Sequence, residues 1–136
     1  MKQEKTFKII AVISYLLIIL MGDMIGLPFF IWLLFTLVDF GNTDQLFAFL
    51  SVIGLTIIFM KLNSTRTLQI VLIDIVCFLL LAAPIVRRLT LVPIEKFNYL
   101  AFIIPMVIFV LLYSMSIYFS IKQYLQIQKV AVLRKG

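Results

Sequence analysis

The sequence predicts an all-α integral membrane protein, a bundle of four transmembrane helices forming one membrane domain over residues 1–136. Three observations predict it. Of 136 residues, 64% are hydrophobic and only 13% charged, against roughly a quarter charged in soluble domains. Mean hydropathy is +1.19, more apolar surface than a soluble core of this size can hide. The apolar residues gather into four runs, 9–38, 46–62, 68–86 and 97–121, separated by short polar clusters.

The chain opens with Lys2, Lys5 and Lys8 against Glu4. A basic start before an apolar stretch resembles a signal peptide, but this stretch is too long for one and has no small-residue cleavage pattern, so it reads as a retained anchor. The first run, 9–38, is 30 residues long, about 45 Å as a helix against a hydrocarbon core of about 30 Å. One over-long, kinked helix is expected, because halves of about a dozen residues are too short to cross unless the break is re-entrant. Pro28 has no N–H to donate and crowds the preceding turn, which places the kink near Met24. Ser14, Ile18, Gly22, Gly26 and Phe30 fall on one i, i+4 row, and the two glycines form a groove for a neighbouring helix.

The second run ends at Lys61, whose stem can snorkel so that Leu62 extends the span. The third carries Asp74, and the fourth carries Tyr113, Ser116 and Ser120 as an i, i+3, i+7 polar stripe. Residues 122–136 continue as a basic tail that suits anionic lipid headgroups.

Topology follows from counting Lys and Arg. Four spans with both termini cytoplasmic put nine cationic residues inside and three, Arg87, Arg88 and Lys96, outside. Splitting the first run gives six and six, no bias at all. The N-in/C-in bundle is therefore expected, in a bacterial inner (plasma) membrane, and Phe, Ile and Lys usage points to a low-GC bacterium. On the outer side, Arg87 and Arg88 can pair with Asp39 and Asp44 across two loops, or hold a lipid phosphate.

Asp23 and Asp74 are the candidate proton or ion sites, since a carboxylate in hydrocarbon must be protonated, paired or turned into the bundle. No Lys or Arg lies inside the spans so drawn. The expected partners of Asp23 are therefore Asp74, the hydroxyls of the fourth helix, or free backbone at the kink. By helical rise Asp74 lies about 9 Å from the cytoplasmic end and Asp23 about 21 Å, so they meet only if the first helix projects inward.

The chain has no His and one Cys, Cys77, which argues against metal ligation, haem, disulfides and most acid–base catalysis. No cofactor and no metal are expected. The net charge of +6 is spread over termini and loops, which does not suit nucleic acid. Leu37-Val38-Asp39-Phe40 resembles one aspartate motif of signal peptidase II, but it precedes the second span and the second motif is absent, so no enzyme is expected. Tyr15-Leu16, Asp23 and Ile25-Gly26 are similar in type and spacing to the first helix of the small multidrug resistance family, over about a dozen residues and with Asp where that family has Glu. The family's third-helix signature is missing. That resemblance implies a small proton-coupled transporter as the alternative. The leading expectation is a noncatalytic accessory or structural subunit, packing through the Gly22/Gly26 groove against another membrane protein or a second copy of itself.

Overall fold

The computed structural model describes residues 2–21, 25–65 and 67–136. Its order is helix α1 (Lys2–Leu16), strands β1 (Ile19–Met21) and β2 (Gly26–Pro28), and helices α2 (Phe29–Val38), α3 (Thr43–Lys61), α4 (Leu68–Leu91) and α5 (Leu100–Lys135), with a 3-10 turn at Ile94–Phe97 before α5. The all-α class is observed, and among the described residues three helices, α3, α4 and α5, are long and apolar enough to cross a membrane.

The first apolar run differs from its expectation. It is not one kinked helix but two helices joined through an antiparallel strand pair, in which Ile19 faces Pro28, Leu20 faces Leu27 and Met21 faces Gly26. The helical row through Ser14, Gly22 and Gly26 is therefore lost: Ser14 is half-buried in α1, Gly26 lies in β2 together with Pro28, and Gly22 is outside the described residues. The reason lies in the residues themselves. Glycine and proline are the weakest helix formers, and three of them within seven positions favour an extended excursion over a bent helix. The backbone released from the helix finds other partners, as it must away from water. Phe29 N–H donates to the Ile18 carbonyl at 2.7 Å, and the Tyr99 hydroxyl donates to the Ile19 carbonyl at 2.7 Å. Pro28, with φ −58° and ψ 143°, precedes the first residue of α2, a position where its missing N–H costs nothing.

Contacts fix the directions of the helices. Against α5, Glu4 meets Ser120 and Tyr15 meets Phe109; against α3, Lys5 meets Asn63 and Tyr15 meets Ser51. Helix α1 is thus antiparallel to both. Helix α4 runs antiparallel to α3, with Arg87 beside Asp44 and Leu80 and Leu81 beside Gly54. The short α2 starts beside the end of α1 and finishes where Gln45 Nε2 donates to the Leu37 carbonyl, so it carries the chain to the end of the bundle opposite Lys5 and Asn63.

Helices α3 and α4 approach closely at Gly54, a glycine outside the expected packing groove. A Cβ on Gly54 would stand 2.7 Å from Leu81 Cδ1 and 3.1 Å from Leu80 Cβ, so α3 and α4 touch there because position 54 has no side chain. Gly41, at φ +93°, makes the turn between α2 and α3, a backbone region that side chains disfavour. Asn42 then caps α3 by accepting from Asp44 N–H at 3.2 Å, which draws Thr43, Asp44 and Gln45 into the helix ahead of its apolar run. At the centre of the bundle, Tyr15 packs against Phe29 and Phe109, and Phe109 against Phe78, with ring centroids 4.9–5.7 Å apart. Helix α5 is 36 residues long, about 54 Å, and its last fifteen residues run on past Ser120, where it meets Glu4.

Candidate functional site

Helix α1 begins in the basic N-terminal segment that the sequence reading left outside the spans. Its positions Glu4, Lys8, Ala11 and Tyr15 form one stripe at steps of four, three and four residues, and all four are buried at 0–1% exposure. This stripe faces α4 and α5, and it places charge inside the bundle. Lys8 Nζ lies 2.8 Å from Asp74 Oδ2 and 3.6 Å from Glu4 Oε1. Ser120 Oγ donates to Glu4 Oε1 at 2.6 Å and lies 3.3 Å from Asp74 Oδ2. These contacts cross-link α1, α4 and α5 through polar groups.

The expectation that no cation reaches the buried acids is corrected. Lys8 reaches Asp74 because α1 starts at Lys2, so Lys8 and Asp74 are each the seventh residue of their helix, both about 9 Å from its start. A Glu–Lys pair four apart was the readable signal, since residues at that spacing share a face. Asp23 lies outside the described residues.

The stripe on α5 is buried throughout, with Tyr113, Ser116 and Ser120 each at 0% exposure. The Tyr113 hydroxyl donates to the backbone carbonyl of Asp74 at 3.1 Å. Ser116 Oγ has no hydrogen-bond partner among the described residues. Above this layer, the Tyr15 hydroxyl and Ser51 Oγ are 2.8 Å apart, joining α1 to α3.

At the opposite end the two arginines divide. Arg87 Nε is 3.5 Å from Asp44 Oδ1, and its terminal nitrogen donates to Thr43 Oγ1 at 3.3 Å. The Arg88 guanidinium lies 5.0 Å from the centre of the Trp32 ring, a cation–π contact. Asp39 accepts from Asn42 Nδ2 at 3.3 Å. Arg87, Asp44 and Thr43 therefore tie α4 to α3, while Arg88 and Trp32 tie α4 to α2. Cys77 is buried, and among the described residues no three His, Cys, Asp or Glu side chains group as metal ligands.

Chemically, the Glu4–Lys8–Asp74–Ser120 cluster can lock three helices together or hold a proton among its carboxylates. Compared with known protein families, with curated proteins and with solved structures, the chain matches none.

Proposed function

We propose that the chain is a small multi-pass protein of a bacterial inner membrane with both termini cytoplasmic, crossing four times with α1, the strand pair and α2 together making the first crossing. In this reading it serves as a noncatalytic accessory or structural subunit of a homo-oligomer or a larger membrane complex. The observation that carries it is the far end of α5. Beyond Ser120 this helix continues for about 22 Å by helical rise, with Leu125, Ile127, Val130, Val132 and Leu133 all at least half exposed. Lys122, Lys129, Arg134 and Lys135 lie among them, and no acid does. A helix that leaves its own bundle carrying apolar residues is suited to pairing with another helix. This extension takes over the docking role that the sequence reading gave to Gly22 and Gly26, and its cations suit acidic groups on a partner or on cytoplasmic headgroups.

The test is the protein mass in mild detergent, by light scattering coupled to size exclusion. The full chain is expected to elute above its own 15.7 kDa with a second copy or another protein bound, and a chain ending at Ile121 is expected to lose that partner. A full-length protein that carries only its own mass after gentle extraction contradicts the reading.

The buried carboxylates favour the transport reading as second choice, because ionisable groups inside a bundle often mark ion pathways. Under it, Asp74→Asn abolishes a proton-driven flux in reconstituted vesicles. Wild-type vesicles without pH-dependent uptake remove it.

A further inference from the structure

We infer that the flank between α1 and α3 is a binding site for an anionic phospholipid from the leaflet on the side of the chain's N-terminus. Helix α1 is held there twice, by Lys5 Nζ donating to Asn63 Oδ1, two residues past the end of α3, at 2.6 Å and by Tyr15 with Ser51 of α3. Between these bridges the two helices part, leaving a groove of about 260 Å³ open to the side. Ile9, Val12, Ile13 and Leu16 wall it on α1, and Ile58 and Phe59 on α3 with Leu62 just past its end. Its floor is closed by the methylene stem of Lys8, whose ammonium turns away to Asp74.

Charge and length both select the occupant. On a helical projection Lys2 and Lys5 continue the stripe of Ile9, Val12, Ile13 and Leu16 toward the N-terminus. Lys2 is exposed and Lys5 half-buried. One ammonium hydrogen of Lys5 is taken by Asn63, and two remain for an anion. The face thus reads as two cations followed by an apolar trough. From Lys5 to Leu16 the rise is about 16 Å, close to half the hydrocarbon thickness of about 30 Å. One acyl chain in the trough places its own phosphate beside the two lysines. The groove is also smaller than the roughly 300–1,000 Å³ pockets that enclose drug-sized ligands, and it suits a single chain.

This inference rests on the membrane-crossing part of the proposal but not on the subunit role. The experiment is native mass spectrometry of the delipidated full chain with phosphatidylglycerol or phosphatidylcholine of identical acyl chains. Phosphatidylglycerol is expected to be retained preferentially. The double variant Lys2→Gln/Lys5→Gln is expected to weaken its retention about thirtyfold, from about 1 kcal/mol per lysine near a headgroup, with little change for phosphatidylcholine. Ile13→Trp is expected to fill the trough and reduce both lipids. Ile10→Trp, at a similarly exposed position of α1 outside the groove, is expected to reduce neither and serves as the folding control. Equal retention of the two lipids, unchanged binding in Ile13→Trp, or displacement by glycerol 3-phosphate without tails overturns the inference. A protein that is monomeric yet retains phosphatidylglycerol contradicts the subunit reading and leaves this one standing.

Discussion

Lys8 is the side chain whose removal should be felt most. The residue is 1% exposed, and its ammonium lies 2.8 Å from Asp74 and 3.6 Å from Glu4. Taking away one member of a buried ion pair costs about 3–5 kcal/mol, because the remaining charge keeps its desolvation cost and loses its nearest counter-charge. Lys8→Met keeps most of the stem that floors the groove, so the loss reports charge more than volume. We expect Lys8→Met and Asp74→Leu each to lower stability by about 3 kcal/mol, and the double variant to lose clearly less than their sum. The lone tryptophan, Trp32, stacks on Phe29 with centroids 5.2 Å apart, and its fluorescence follows unfolding in mixed detergent and dodecyl sulfate micelles. Because the pair is buried, raising the salt should leave the coupling nearly unchanged. Single losses that add to within about 0.5 kcal/mol in the double variant would show that the two residues do not act as a pair, and the reasoning would fail.

Three further outcomes follow from individual contacts. Gly54→Ile should force α3 from α4, since even a Cβ there comes within 2.7 Å of Leu81; the expected loss is about 2 kcal/mol or more, and a variant as stable as wild type in the same titration counts against that close approach. Ser120→Ala removes the 2.6 Å hydrogen bond to buried Glu4 and should cost about 1.5–3 kcal/mol, whereas Ser114→Ala, at an exposed position of the same helix, should cost under about 0.5 kcal/mol. Arg88→Leu takes the guanidinium off the Trp32 ring and should shift Trp32 emission while lowering stability by only about 0.5–2 kcal/mol; an unchanged spectrum would mean that the two side chains do not stack.

The long helices were legible because a hydrophobic run of this length has few other structures open to it. Their ends were less so. Thr43, Asp44 and Gln45 look like loop residues, yet Asn42 caps α3 ahead of them, and a cap moves a boundary by a turn without altering hydropathy. At the N-terminus the error had a consequence for the site. With Lys2 to Lys8 placed outside the membrane, the lysine that reaches Asp74 was left out of the bundle, although Glu4 and Lys8 stand one turn apart. Periodicity tells which residues share a face, but the partner of that face depends on the relative depth of helices far apart in sequence. Tyr113, Ser116 and Ser120 share one buried face of α5, and Ser120 lies beside Asp74. The strand pair was legible only as a break. Three-residue strands have no signal of their own, and these are held by Phe29 N–H on Ile18 and by Tyr99 from 80 residues away.

In the proposed topology, α1, the strand pair and α2 carry the chain across the bilayer once, leaving both termini on one side and the α2–α3 turn on the other. Single cysteines at Gln3, Phe40 and Leu133 in a Cys77→Ala background test it most directly, because all three positions are exposed. With an impermeant maleimide, Phe40→Cys should label in intact cells, and Gln3→Cys and Leu133→Cys only after permeabilisation. Labelling of Gln3→Cys and Phe40→Cys from the same side would contradict the account.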